Sequence, residues 1–311
     1  MKSELDMGML TKQSNVREIL IEMKSLAEIC VDLAFASLLY SDKLVAEQVL
    51  VMEEEVDRLY KLLLDHLALS IKNPKQANQL RIYFTIGEAN NIISDSAADM
   101  ASLVLRGIEI EDEIKTVQQH IDPIVDLVPL ASNSPLCGES ELSSNLHDLL
   151  GVDIVGIIRP EKGFYTEYKE IMQPGDLLII RGPLENINQV IKLAKGDITS
   201  IEEARINIIN ETEEINEEPL KYHQDLLVTM KQSAELLVDM SYLYALGDLP
   251  SVKSLIVTTE EKIDNLQFEV IEEVLRLYKS DLISKNTLLA YLRMADAFEE
   301  IADAAIKITF G

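Results

Sequence analysis

The chain has no tryptophan, only two cysteines, and few basic residues for its length: 28 Lys and Arg stand against 54 Asp and Glu, a net charge of −26. A surface that holds nucleic acid needs clustered Lys and Arg, and no cluster is present, so nucleic acid is excluded as a partner. Docking on an anionic membrane surface is disfavoured for the same reason. The acidic balance permits a cation or a basic protein partner, although solvation of helix faces accounts for it equally well. Cys30 and Cys137 show no CxxC spacing. Cys30 falls on an apolar helical face and reads as core. A disulfide between the two stays open, but nothing asks for an oxidising compartment. No run approaches the ~18 uninterrupted apolar residues of a membrane span. The best candidate, Ile29–Tyr40, contains Asp32, and Met1–Leu10 carries Glu4 and Asp6 and no apolar signal-peptide core. These absences predict a cytoplasmic protein with no direct membrane insertion. GxSxG, HExxH, the P-loop and any Cys/His pairing are also missing, so no enzyme is expected. No GxGxxG follows an expected strand, which argues against NAD.

What the chain does have is a segment written twice. Residues 22–64 and 229–271 align without gaps at a constant offset of 207. Matching pairs include Met23/Met230, Lys24/Lys231, Glu28/Glu235, Asp32/Asp239, Glu53/Glu260 and Asp57/Asp264. A repeat that serves packing alone needs to keep only its apolar stripe. Here acidic positions are kept as well.

Helical periodicity runs through 11–40, 43–71 and 75–106 in the first copy, and through 219–246, 251–279 and 281–308 in the second. Ser41-Asp42, Asn73-Pro74 and Gly247 to Pro250 punctuate the helices. Three long helices per copy, unable to bury their faces alone, predict antiparallel bundles. A further helical stretch is expected over Glu109–Ile121. The stretch Pro129–Lys195 is of another kind, rich in Gly, Pro and β-branched runs. It predicts a short extended segment at Ser134–Glu141, a helix over Leu142–Leu150, strands at Val152–Arg159, Phe164–Glu170 and Leu177–Arg181, and a closing helix Leu184–Ala194. The acidic run 197–218 reads as a solvated helix or linker. The expected fold class is therefore α+β, two three-helix repeats flanking a small α/β domain, divided at 1–122, 123–196 and 197–311.

Arg159, at the end of an expected strand, is the candidate anion contact, since guanidinium suits phosphate recognition. Ile157 and Ile158 precede it, and such residues are more often core. Asp176 is expected to stabilise its turn by local backbone hydrogen bonds. His147 reads as a surface or interface histidine.

The block between Leu136 and Ala194 resembles the TrkA-C, or RCK C-terminal, domain of potassium-conductance regulators. The points of match are Gly138, Leu142, Leu146, Gly151-Val152, Ile157-Ile158-Arg159, Pro174-Gly175-Asp176 and Leu178–Gly182. The resemblance implies a small sheet that forms a homodimer, with a ligand such as a cyclic dinucleotide at the dimer seam near Ile157, Ile158 and Arg159. It also implies a membrane cation transporter or channel as partner.

The flanking repeats look like the three-helix halves of PhoU, the phosphate-signalling regulator. PhoU relatives carry E(D)xxxD pairs that bind metal. Carboxylates at i and i+4 share a helix face, and two such helices side by side make an all-oxygen, hard-cation site. Glu53/Asp57 and Glu260/Asp264 keep that spacing. On the third helices, Phe84 precedes Glu88 and Leu292 precedes Asp296, so each keeps half a pair, while Asp95/Asp99 and Glu299/Asp303 have the right spacing one heptad later. The implied cofactor is a divalent metal ion held by Glu53, Asp57, Glu88, Glu260, Asp264 and Asp296. Two functions follow: a ligand-sensing regulator of potassium or other cation transport, or a phosphate-signalling adaptor of PhoU type.

Overall fold

The computed structural model describes residues 15–108, 124–159, 163–165, 170–211, 221–247 and 252–310. In the first copy, α1 (Val16–Tyr40) opens with a capping box in which Asn15 accepts from the Glu18 amide and Glu18 answers to the Asn15 amide. Ser41 adopts a left-handed conformation, and Asp42 then caps α2 (Lys43–Ser70). Asn73 caps α3 (Pro74–Leu105), whose Pro74 sits where its missing N–H costs nothing.

Nearly the whole inner length of α1 is apolar and buried, from Ile19 to Leu39. Burial of one such Leu or Ile side chain contributes about 1.5–3 kcal/mol, so this helix is the spine of its unit. α1, α2 and α3 pack on one another, which is the antiparallel arrangement the sequence predicts.

One strand and two short helices come next, in the second region. β1 (Ile124–Pro129) precedes α4 (Glu141–Ser144) and α5 (Leu146–Leu150). β2 (Asp153–Arg159), β3 (Gly163–Tyr165) and β4 (Leu177–Gly182) complete an antiparallel sheet of order β1-β4-β2-β3. α6 (Leu184–Lys195) covers β1 and β4, and α7 (Ile201–Glu211) packs on α5 and α6.

Two features depart from expectation. β1 was not anticipated: its sequence, IVDLVP, is short and follows a stretch that reads as helical. Pro129 fits there because β1 is an edge strand with no neighbour on its outer side. The expected extended segment Ser134–Glu141 is instead a series of turns, closed by Ser134 N–H to Ala131 and Cys137 N–H to Ser134. The acidic stretch supplies a packed helix at its start, with Ala204 fully buried. The expected helix over 109–121 and most of the strand over 164–170 lie outside the described residues.

The second copy supplies α8 (Lys221–Gly247), α9 (Lys253–Lys279) and α10 (Lys285–Phe310). The last begins four residues later than periodicity suggests, because Asp281 turns left-handed and the Ser284 hydroxyl caps at Thr287. α10 packs on both α9 and α3, so the two repeats share a core within one chain. α1–α3 with α8–α10 make one compact unit, and the strands with α4–α7 make the other. The fold is α+β, largely helical with one small sheet. Both cysteines are free.

Candidate metal centre

α3 approaches α2 closely at Gly87, where a Cβ would lie 2.4 Å from Leu63 Cδ2 and would have to displace the end of that buried side chain. One and two turns further along α3 come Asn91 and Asp95. Asp95 meets Glu53 and Asp57 of α2. Glu53, Asp57 and Asp95 each offer a carboxylate oxygen within 4.8 Å of the others, the only such trio among the described residues. Burial, then the charges of Asp95 and Asp57, hold the Glu53 carboxyl above its ordinary range. Burial and Asp57 do the same to Asp95. Lys61 Nζ donates to Asp57 Oδ2 at 2.8 Å, one ammonium against three acids.

Asn91 Nδ2 donates to Asp95 Oδ2 at 3.1 Å, while its Oδ1 is buried without a hydrogen-bond partner. A buried acceptor with no donor costs about 1–3 kcal/mol, and a cation removes that cost. The three carboxylates form an all-oxygen donor set suited to Mg²⁺, Mn²⁺ or Ca²⁺. The residues therefore fit a hard divalent ion.

The second copy builds a related corner. Glu260 is raised by burial and then by Asp264 and Asp303. Glu299 is raised by burial and then by Asp303, Asp264, Glu300 and Asp296. Glu260 and Asp264 of α9 thus face Glu299 and Asp303 of α10.

The structure brings Glu53 with Asp57 and Glu260 with Asp264, but it takes their partners from elsewhere on the third helix. Glu88 is exposed and acts on Tyr60, and Asp296 accepts from Gln267 at 3.2 Å. The facing pairs are Asn91/Asp95 and Glu299/Asp303. Asp99 instead pairs with Arg293. A partial signal for this was present. In the third helix the repeat offset is 208, not 207, which aligns Asn91 with Glu299 and Asp95 with Asp303.

Arg159 is placed differently from the expected anion contact. Its Nε and Nη2 grip Asp176 Oδ1 and Oδ2, both at 2.8 Å. Nη1 reaches Glu170 Oε1 at 2.6 Å, and Nη2 also donates to the Ile171 carbonyl at 3.0 Å. Asp176 is 1% exposed and accepts from the Gln173 N–H at 2.7 Å. This bidentate latch ties the end of β2 to the turn before β4. Burial leaves the guanidinium directed inward, a structural role. Ile157 is buried, opposite Leu178 and Tyr165, and Ile158 is half-buried, opposite Phe164 and Leu177. His147 is exposed, with Nδ1 2.6 Å from Asp153 Oδ1.

Residues 20–104 match the family model of the PhoU domain, and residues 127–195 match that of the TrkA-C domain. The first match spans most of α1 and all of α2 and most of α3. The second runs from within β1 to the end of α6. No curated protein matches the chain. The architecture is thus a PhoU-type helical region followed by a TrkA-C domain, and both are regulatory, non-catalytic domain families. The pairing is that of a regulatory protein linked to ion transport or phosphate signalling. No helix among the described residues is long and apolar enough to cross a membrane.

Proposed function

We propose that this protein is a cytoplasmic regulator of potassium or other cation transport. Its TrkA-C domain forms a homodimer and senses a small anionic effector of the cyclic-dinucleotide class. The helical repeats hold divalent metal and contact the transporter. The observation that carries this reading is the presence of both domains in one chain, with the acidic trio Glu53, Asp57 and Asp95 on the PhoU-type part. The mechanism is population shift: an effector that binds one dimer arrangement better than another biases how the helices meet their partner. An effector with equal affinity for both arrangements shifts nothing.

Thermal melting of the full chain with cyclic di-AMP, with divalent ions and with neither tests this. At about a hundredfold excess over Kd, a ligand adds about 2.7 kcal/mol of stability. The reading expects both ligands to raise the melting temperature and light scattering to report a dimer. A monomer that ignores nucleotides overturns it.

The acidic trio favours a second reading, a phosphate-signalling adaptor of PhoU type in which the TrkA-C domain only dimerises. Under that reading divalent ions raise the melting temperature and nucleotides do not.

A further inference from the structure

The repeat is not only written twice; its two copies lock together reciprocally. Lys24 on α1 pairs with Glu28 on its own helix and reaches across to Asp239 on α8 at 3.0 Å. Lys231 on α8 pairs with Glu235 on its own helix and reaches across to Asp32 on α1 at 2.6 Å. The aromatic neighbours are exchanged in the same way. Lys24 Nζ lies 5.3 Å from the Tyr242 ring centre, and Lys231 Nζ lies 5.9 Å from that of Phe35. Each of these pairs, Lys24/Lys231, Glu28/Glu235, Asp32/Asp239 and Phe35/Tyr242, carries the repeat offset of 207. Two helices related by a local twofold axis therefore cross with Glu28 and Glu235 nearest the axis.

The two halves of this junction are not equally polar. On one side the Tyr242 hydroxyl donates to Asn90 Oδ1 at 2.7 Å. On the other, the equivalent positions hold Phe35 and Phe298, with ring centres 5.7 Å apart. The Lys231–Asp32–Glu235 triad therefore sits on the drier side, and Lys231 is buried. Two ammonium groups face four carboxylates. When every acid is ionised the junction carries an unbalanced negative charge in a partly dry place, which low polarity makes costly.

We propose that the crossing of α1 and α8 is a proton-operated joint between the two repeats. Uptake of one proton by Glu235 balances the charge of the Lys231–Asp32–Glu235 triad and tightens the crossing, and its release loosens it. The charged groups that act on Glu235 are Lys231 on its own helix and Asp32 on α1, while Lys24, Asp239 and Asp32 surround Glu28. Lys262 of α9 donates to neighbouring Ser233 at 3.3 Å, and Phe298 of α10 packs against Phe35 on this side. Burial pushes the Glu235 carboxyl up to about 7, with Lys231 opposing and Asp32 adding to the shift. Glu28 is raised by burial too, with Lys24 opposing.

The sign follows from proton counts. A carboxyl whose value is raised on folding holds more protons folded than unfolded, so stability is present on the acid side and is lost as pH rises through about 7. For one such group the folding equilibrium falls by at most about tenfold between about pH 6 and 8, and by less here because the Glu235 side chain is 40% exposed to screening solvent.

The test is denaturant unfolding of the full chain across that range, with a chelator present, for wild type, Glu235→Gln and Glu28→Gln. Glu235→Gln, which mimics the protonated acid, is expected to remove most of that fall, and Glu28→Gln to keep it. A fall that persists in Glu235→Gln overturns the proposal, as does its loss in both variants, which would mark a general charge effect. If Glu235→Gln does not fold, carbon-detected carboxyl titration of the wild type decides: a Glu235 midpoint above about 6 supports the joint, and one below it overturns it.

Discussion

Charge is concentrated in both units of this molecule, and it is built in opposite ways. In the sheet unit Arg159 meets Asp176, Glu170 and the Ile171 carbonyl, so the charges close on themselves. In the helical unit Glu53, Asp57 and Asp95 converge with Lys61 alone against them, and the Asn91 Oδ1 beside them is left without a donor. A closed set holds a fold together, because each group's desolvation is offset by a partner at hydrogen-bond distance. An open set of like charges costs stability. A cation bound at such a helix junction would offset that cost.

The comparison is broken most directly at Asp176. Asp176→Asn leaves the buried guanidinium with Glu170 as its remaining carboxylate partner and should cost about 3 kcal/mol in urea unfolding of the full chain. A loss below about 1 kcal/mol would mean the latch is not closed in solution. The next effect tests the geometry that assembles the open set. Gly87→Ala places a methyl against Leu63 and should cost about 1–3 kcal/mol while also weakening the stabilisation by divalent ions, since the same helix approach positions Asp95. A variant as stable as wild type would show that α2 and α3 adjust freely.

The smallest effect has the opposite sign. Without metal, Asp95→Asn should raise stability by a few tenths of a kcal/mol by relieving like-charge repulsion. It should also abolish the rise in melting temperature on adding Mg²⁺ or Mn²⁺. Destabilisation without metal would make Asp95 a structural residue and not a ligand.

The pH dependence sharpens the same contrast. Glu53 and Asp95 are both raised by burial and by neighbouring acids, so the folded state holds their protons longer than the unfolded one. Metal-free stability should therefore be greatest on the acid side and fall as pH rises through the raised values. A divalent ion, which takes the place of those protons, should reverse the fall. Melting curves from about pH 4 to 7 with chelator and with Mn²⁺ would show it. Parallel curves would exclude ion binding at this corner.

The repeat, the helical period and the Gly and Pro punctuation were legible because each is local: a few residues fix the backbone that follows. The strands at β2 and β4 were legible as apolar runs between turns. β1 was hidden, since six residues after a proline carry too little pattern to separate an edge strand from a helix end. For the metal corner, the i,i+4 pairs on α2 and α9 could be read directly. Their partners on α3 and α10 could not be chosen, because Glu88/Asp296 and Asp95/Asp303 carry the same repeat offset of 208 and only packing sets which turn of the third helix faces its neighbour.

Sequence by itself determined that two helical repeats bracket a small sheet, since periodicity and turn residues act over short range and survive without any partner. Tertiary structure alone decided which charges close and which stay open. Arg159 looked free as the last residue of a strand, and the turn before β4 folds Asp176 onto it. Glu28 and Glu235 looked like ordinary helix-surface acids, and the crossing of α1 and α8 sets them beside two lysines on a half-dry seam. The cost of a charge depends on what lies within a few ångströms of it, and those neighbours come from 17 positions away for Arg159 and from about two hundred positions away at the crossing of α1 and α8.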